Sequence, residues 1–240
     1  MKPILPLIAL TAMAFTITLP AQILVQPASV TIVGATAQGA GANDDSFIDG
    51  DGLSNASSYT TGSPVPVTWD THSLADLTEN GNWRSGSFPP GGTSFTYTMS
   101  LGGGYDVTGM HVWNYNATAD NGYSSPGIGI NRMLVEVSTN GGTTWTTAAD
   151  YTSGSAFIIP TVNVATSGQT LDFGSTFNGV NTVRFSNMDS FWTPGGGDSY
   201  NFRKGIAEVR FLAVPEPTSV LTVSVGLISL ALLRRRRSVV

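Results

Sequence analysis

The clearest feature of the chain is an alternation of apolar and polar residues with a period of two, in several short stretches. This alternation is typical of β-strands that bury one face. It covers residues 94–101, 110–115, 133–138, 183–185 and 207–211. Because a strand places alternate residues on one face, each apolar set is expected to face the core. The residues expected there are Met133, Val135, Val137, Val183, Phe185, Val209 and Phe211.

Turn signals rich in glycine separate these stretches, at residues 102–104, 140–142, 178–179 and 194–197. Between the apolar segments at the two ends of the chain, no stretch has a helical period. Many short strands without alternating helices indicate a sandwich, a jelly roll or a barrel. We therefore predict an all-β fold, a single antiparallel β-sandwich of jelly-roll type.

The strongest hairpin signal is Asn140-Gly141, because these residues adopt the positive φ values that a tight turn requires. Together with Ser138, Thr144 and Trp145, it resembles the Asp-box of sialidases, with Asn in place of Asp. In those propellers the motif is a structural hairpin that recurs in each blade. It occurs once here, so it predicts a turn and not a glycosidase.

Charge and cysteine content restrict the partners. When Lys2 and the four arginines near the C-terminus are left out, the chain has 6 basic and 16 acidic residues. The formal charge of the remaining part is therefore −10. Such a surface repels phosphate, so nucleic acid is not expected as a partner. The chain has no cysteine, which excludes disulfides and thiol nucleophiles. Stability must then come from the core or from a bound metal.

The N-terminus has the pattern of an export signal. Lys2 precedes an apolar stretch at 4–19, and Pro20-Ala21 follows it. This is the order of basic region, apolar region and cleavage site in a signal peptide, which we predict at residues 1–21. Cleavage after Ala21 is the first choice and a cut near Ala28 the second. An uncleaved anchor is the remaining alternative.

The C-terminus carries a second apolar segment, residues 218–233. It is shorter than the ~20 residues of a usual span. The cationic block after it stays cytoplasmic, because four charges do not cross the bilayer core cheaply. That block is Arg234, Arg235, Arg236 and Arg237.

The order of these parts after Val214-Pro215-Glu216-Pro217 resembles the PEP-CTERM sorting signal of Gram-negative bacteria. The resemblance covers residues 214–240, with the motif at 214–217. It implies export by the Sec machinery, transient residence in the inner membrane and recognition by an exosortase. The expected destination is the cell surface or the extracellular matrix. A plain single-span anchor is the alternative.

Five segments of the intervening domain, residues 22–213, carry a second resemblance. In chain order they are residues 48–52, 81–86, 107–116, 135–142 and 205–211. They resemble a discoidin-like (F5/8 type C, galactose-binding-like) domain of exported bacterial proteins. The resemblance implies an eight-stranded β-sandwich whose loops at one end can hold a ligand. The chain departs from the family pattern in two long loops, which we expect at 116–130 and 187–203.

An acidic loop near the start of this domain suggests a metal site. Asp44, Asp45, Asp49 and Asp51 lie close together in the sequence. Calcium takes 6–8 oxygen ligands, which such a loop supplies compactly. The discoidin-like resemblance implies a structural calcium ion between this loop and a glutamate of the final strand. The matching positions are Asp49, Asp51 and Glu208, and the alternative is a solvated Asp/Gly-rich turn.

Aromatic residues in or beside the predicted loops are candidates for stacking on sugar rings. Loops on a rigid scaffold commonly carry ligand contacts. The alternative is that these rings cap the ends of the core. The candidate ligand-binding residues are Trp83, Tyr123, Phe191, Trp192, Tyr200 and Arg203.

Catalytic residues are scarce. His72 and His111 are the two histidines, and we expect His111 to be a packed sheet residue. The motifs of serine hydrolases, zinc proteases and P-loop enzymes are missing from the sequence. We therefore predict a non-catalytic surface or matrix protein that binds carbohydrate, such as extracellular polysaccharide. A purely structural envelope or biofilm component is the alternative, and a cryptic glycoside hydrolase with two converging carboxylates is the remote one.

Overall fold

The structure is a computed structural model that describes residues 21–34, 45, 47–73, 83–84, 95–116, 125–153, 156–161, 164–191 and 204–215. At 83–84 and 125–126 only the backbone is described. This part of the chain forms eight β-strands and two short 3-10 helices, at Ala56–Tyr59 and Ser125–Ile128. The strands are β1 Ile23–Val25, β2 Ser29–Val33, β3 Trp83–Arg84, β4 Thr96–Asn114, β5 Ile130–Ser138, β6 Thr146–Asp150, β7 Gln169–Ser190 and β8 Gly205–Val214.

All strand pairings are antiparallel, which confirms the predicted all-β class. The hydrogen-bonded order is β1-β8-β4-β7-β5-β6, with β2 paired to β4 and β3 paired to β8. Among these ranges, no helix is long and apolar enough to cross a membrane. The predicted signal peptide, except Ala21, and the tail from Glu216 onward lie outside the described residues.

The two longest strands, β4 and β7, fold the sheet back on itself. The first half of β4 pairs with the second half of β7, as Tyr97 with Phe185. The second half of β4 pairs with the first half of β7, as Val112 with Gln169. Register shifts separate the two halves between Ser100 and Gly109. The paired strands β4 and β7 therefore contribute to two layers of the sandwich. One layer also contains β8, and the other also contains β5.

This folding corrects the turns predicted at 102–104 and 178–179, which lie inside strands β4 and β7. Gly102 and Gly179 have φ values of 74° and 65°. Glycine adopts such values without the steric cost that a Cβ would bring. The glycines therefore bend continuous strands and do not end them.

The core lies between the two layers, and the predicted core residues are confirmed. One cluster of buried side chains contains all seven. The rings of Phe185 and Phe211, from opposite layers, have centroids 6.1 Å apart. The period-two alternation placed these side chains on the inner faces, as burial of apolar surface requires.

The outer face of β8 is also covered, and residues 205–213 are all buried. A second cluster on this face contains Leu53 and Tyr59 from the segment 47–73, together with Trp113 and Leu212. His72 ties this segment to the loop before β7 through two backbone hydrogen bonds with Thr166, of 2.7 and 3.0 Å. The segment 47–73 is thus a lid over β8.

The sandwich has two distinct ends. At the loop end lie Asn114, Ile130, Ser190 and Gly205, the last or first residues of β4, β5, β7 and β8. At the opposite, terminal end β8 finishes, with Val214 paired to Asp106. Strand β1 begins at the terminal end as well, because Ile23 pairs with Ala213. Both described chain ends therefore leave from the terminal end.

Candidate ligand-binding end of the sandwich

The loop end is held together by Asn114, a buried side chain at the end of β4. Its Nδ2 donates to the Ile130 carbonyl at 2.7 Å, and its Oδ1 accepts from the Ile130 amide at 2.7 Å. Asn114 therefore joins the end of β4 to the start of β5 as a backbone group would.

Further backbone contacts bring the neighbouring segments to the same place. Gly129 forms a bridge with Gly205, and its carbonyl accepts from the Phe191 amide at 3.1 Å. The segments 117–124 and 192–203 therefore begin and end here. Strand β3 reaches the same end, because Trp83 pairs with Ile206.

A cleft of about 240 Å³ opens beside Asn114. Its walls are Val112 and Asn114 of β4 and the residues 157–161 and 164–169. Three apolar side chains of these walls, Ile158, Ile159 and Val164, are exposed. Typical small-molecule pockets have about 300–1,000 Å³, so this cleft suits one small ligand group.

Asn116 fixes the outer wall of the cleft. Its Nδ2 donates to the carbonyls of Thr161 and Val164 at 2.7 and 2.8 Å. Among the residues that the structure describes, none donates a hydrogen bond to its buried Oδ1. A buried acceptor without a partner costs free energy. The two hydrogen bonds of the Nδ2 atom offset this cost and hold the Asn116 side chain in place.

Of the six predicted ligand-binding residues, the structure describes the side chain of one. Phe191 is half-buried and packs against the core. This agrees with the alternative that the aromatic rings cap the ends of the core. For Trp83 only the backbone is described, in β3. Tyr123, Trp192, Tyr200 and Arg203 lie outside the described residues. Their binding role stays a prediction.

The loop predicted at 116–130 agrees with the strand bounds, since β4 ends at Asn114 and β5 begins at Ile130. The loop predicted at 187–203 is shorter, because strand β7 continues to Ser190, which pairs with Ile130. The sequence signal of strand β7 fades after Phe185, because all but one of its later residues are polar. Pairing with β5, a contact between distant segments, extends the strand.

Lys204 brings a cation to the loop end. Its ammonium lies 5.7 Å from the centroid of the Phe95 ring, at the start of β4. It also donates to the Met188 carbonyl. Burial lowers the pKa of Lys204, and the Asp189 carboxylate opposes that change. Lys204 thus fastens the start of β8 to its neighbours.

Both histidines are buried and packed within the fold. His111 stacks on Trp69 with ring centroids 3.6 Å apart, and its Nδ1 lies 2.8 Å from the Thr170 hydroxyl. Burial lowers the pKa of His111 to about 3, and burial also lowers the pKa of His72. The prediction that His111 is a packed sheet residue is confirmed.

The predicted calcium ligands are not assembled as a site. Within the described ranges, no three Asp, Glu or His side chains lie close enough together to hold a metal ion. Asp49 and Asp51 are exposed, whereas Glu208 is buried beneath the lid. Both Glu208 oxygens already accept hydrogen bonds, from Arg210 and from the Gly50 amide. These residues do not fit the calcium site expected from the sequence.

Structural comparison finds similar chains among carbohydrate-binding and discoidin-like domains. A family 32 carbohydrate-binding module from Clostridium perfringens, in complex with galactose, has 13% identity and a TM-score of 0.43, with coverage of 80% of this chain and 99% of the other. An F5/8 type C domain from Bacteroides fragilis has 14% identity, a TM-score of 0.41 and coverages of 80% and 97%. A pectin-binding module has 12% identity, a TM-score of 0.41 and coverages of 78% and 91%.

No protein-family model matches the sequence, and no curated protein is significantly similar to it. Structural identities and TM-scores this low say nothing about which ligand this chain binds.

Proposed function

We propose that this chain is an exported, non-catalytic protein of the cell surface or extracellular matrix that binds carbohydrate at the loop end of its sandwich. One observation carries the proposal. Strand β3 with Trp83, residue Phe191 and the end of β4 at Asn114 lie at the loop end, beside the cleft. This placement supports a binding surface to which the segments 117–124 and 192–203, which lie outside the described residues, would also contribute.

The chemistry of this end suits a sugar. Carbohydrate rings have an apolar face, which packs on aromatic planes and aliphatic groups, and a rim of hydroxyls, which needs hydrogen-bond partners. Exposed Ile158 and Ile159 supply apolar surface at the cleft. The predicted residues Trp192 and Tyr200 would supply aromatic planes. Backbone groups of 164–168 and the predicted Arg203 would supply hydrogen-bond partners for the hydroxyls.

The position of the chain ends supports display of this surface. Ala21 and Pro215 leave from the terminal end, opposite the cleft. A protein attached through its C-terminal tail would therefore present the loop end away from the membrane. An extended polysaccharide outside the cell could then reach it.

Purified protein is expected to bind particular glycans saturably on a glycan array, and Trp192→Ala is expected to weaken that binding by about tenfold or more, as loss of a central aromatic contact does. The matched control is Trp145→Ala. Trp145 lies at the terminal end, with the Arg184 guanidinium 4.2 Å from its ring centroid. This substitution should leave glycan affinity unchanged.

Other outcomes would support the alternatives. If no glycan binds and Trp192→Ala lowers the melting temperature, the aromatic residue has a structural role and the protein is a structural envelope component. Equal loss of binding in both variants would place the site elsewhere. Release of reducing sugar from a bound polymer would show a glycoside hydrolase.

Export is the second part of the proposal. The Sec machinery would remove residues 1–21, and an exosortase would recognise Pro215, Glu216 and Pro217 ahead of the arginine block in the inner membrane of a Gram-negative host. The strand limits support both boundaries. A cut after Ala21 keeps β1 paired with β8, whereas a cut near Ala28 would remove β1. Strand β8 ends at Val214, the first residue of the motif.

Cell fractionation and intact-mass measurement test this pathway. We expect a surface or extracellular species that begins at Gln22 and lacks the arginine block. A full-length species in the cytoplasm would contradict export. A species that is retained in the inner membrane with its tail intact would support the plain anchor.

A further inference from the structure

A buried ion pair on β8 lies directly beneath the acidic loop. Glu208 and Arg210 are adjacent on the outer face of the strand, and their side chains are 0% and 1% exposed. The segment 47–59 of the lid covers them. Buried charges are stable only when they are paired and hydrogen-bonded. The hydrogen-bond partners of Glu208 and Arg210 therefore indicate the structural role of the pair.

Both oxygens of Glu208 accept hydrogen bonds from protein donors. Its Oε1 accepts from the Arg210 guanidinium and from the Val209 amide, at 3.3 Å in the second case. Its Oε2 accepts from the Gly50 amide at 2.7 Å. One carboxylate therefore joins the lid to β8.

Arg210 makes the second connection. Its Nε donates to the Tyr59 carbonyl at 2.7 Å. Gly50 leaves room for this side chain, because a Cβ there would lie 3.3 Å from an Arg210 terminal nitrogen. The two charged side chains thus hold the lid at Gly50 and at Tyr59, on either side of the exposed Asp51.

We propose that the Arg210 guanidinium takes the place that the discoidin-like resemblance assigns to calcium, so that a side chain fastens the acidic loop to the final strand. The reason is electrostatic and steric. A calcium ion here would lie beside a fixed positive charge in a medium of low dielectric, where repulsion is strong. It would also need 6–8 oxygen ligands, and it would have to compete for the Glu208 oxygens with the protein donors that they already bind.

The test is thermal unfolding of the whole protein with calcium and with EDTA. The two melting temperatures are expected to be equal. Arg210→Ala is expected to lower the melting temperature by about 10 °C, because it leaves the Glu208 carboxylate buried without its partner. Calcium should raise the melting temperature of that variant, since removal of the guanidinium leaves a carboxylate-lined space that can receive a cation.

Arg184→Ala is the matched control. Arg184 pairs with Glu136 at 2.8 Å on a partly exposed face, where the two side chains are 29% and 14% exposed. Exposed pairs contribute little, so a loss of less than about 3 °C is expected. Neither calcium nor EDTA should affect this variant.

Two results would overturn the proposal. One is a calcium-dependent melting temperature of the unmodified protein, and the other is an Arg210→Ala variant as stable as Arg184→Ala. If Arg210→Ala does not fold, Arg210→Lys replaces it. Lysine keeps the charge but lacks the two separate nitrogens with which the guanidinium reaches Tyr59 and Glu208, so an unchanged melting temperature of Arg210→Lys would also overturn the proposal.

Discussion

Replacing Val137 by aspartate is expected to lower the free energy of unfolding by about 4 kcal/mol or more, as burial of an unpaired charge does. Val137 is 4% exposed and belongs to the main core cluster. It lies on β5 opposite Val183 of β7 and Thr146 of β6. Neither neighbour offers a cation, so the new carboxylate would stay unpaired or take up a proton. Urea unfolding at neutral pH measures the loss.

Thr31→Asp is the control for the introduced side chain. Thr31 is exposed on β2 and pairs with Thr98. Exposed substitutions usually change stability by no more than about 0.5 kcal/mol. Equal effects of the two substitutions would mean that β5 has a different register, because a shift of one residue exchanges its two faces.

Gly52→Ala is expected to cost about 3 kcal/mol or more, whereas Gly62→Ala should cost about 1 kcal/mol. The two glycines have almost the same backbone conformation, with φ of 91° and 89°. They differ in their surroundings. A Cβ at Gly52 would lie 2.3 Å from Cε1 of His72, whereas a Cβ at Gly62 would have no atom of the described residues within 4 Å. The difference between the two variants therefore measures the clash with the His72 ring.

His72 cannot move aside easily, because it is 0% exposed and bonded at its backbone to Thr166. Adding His72→Ala to Gly52→Ala should recover part of the loss, so that the two effects are less than additive. Additive effects in the double variant would exclude the clash as the cause. Thr166 lines the cleft, so Gly52→Ala is also expected to weaken any ligand that binds there.

Local patterns determined the strands of this protein. Met133, Val135 and Val137 alternate with polar residues, and a strand must place such a set on one face whatever its neighbours are. The hairpin at Asn140 is local too. Its Oδ1 accepts from the Thr144 amide at 3.0 Å, and the Ser138 hydroxyl accepts from the Gly142 amide at 2.9 Å. Interactions over a few residues can be recognised from sequence, and the strand faces and the turn are confirmed. The positive φ predicted for Asn140 is wrong, because the residues with positive φ in this turn are Gly141 and Gly142, at 68° and 87°.

The bends of β4 and β7 show where local information ends. Gly102 and Gly179 have the composition of turns, and the sequence predicts turns there. Pairing of the two strands on both sides of these glycines makes them bends inside strands. A glycine permits positive φ in a turn and in a bend alike. Only the partner strand distinguishes the two.

The burial of β8 depended on a segment far away in the chain. Glu208 and Arg210 alternate with Val209 and Phe211, a pattern that predicts an exposed polar face. The lid covers that face, and a buried carboxylate then requires a partner. Arg210, two residues away, provides it. The sequence shows the acidic residues of the early loop, but not that a guanidinium lies beside Gly50 of that loop.

The amino-acid sequence by itself determined the all-β class, the inward-facing residues of the core strands and the hairpin at Asn140, because each follows from contacts between near neighbours in the chain. The tertiary structure alone decided that β3 with Trp83, residue Phe191 and the end of β4 lie at one end of the sandwich. It also decided that the described chain ends, Ala21 and Pro215, lie at the other end. It also decided that Glu208 pairs with Arg210. These features depend on the register of strands that are distant in sequence, and register is set by the packing of the whole core.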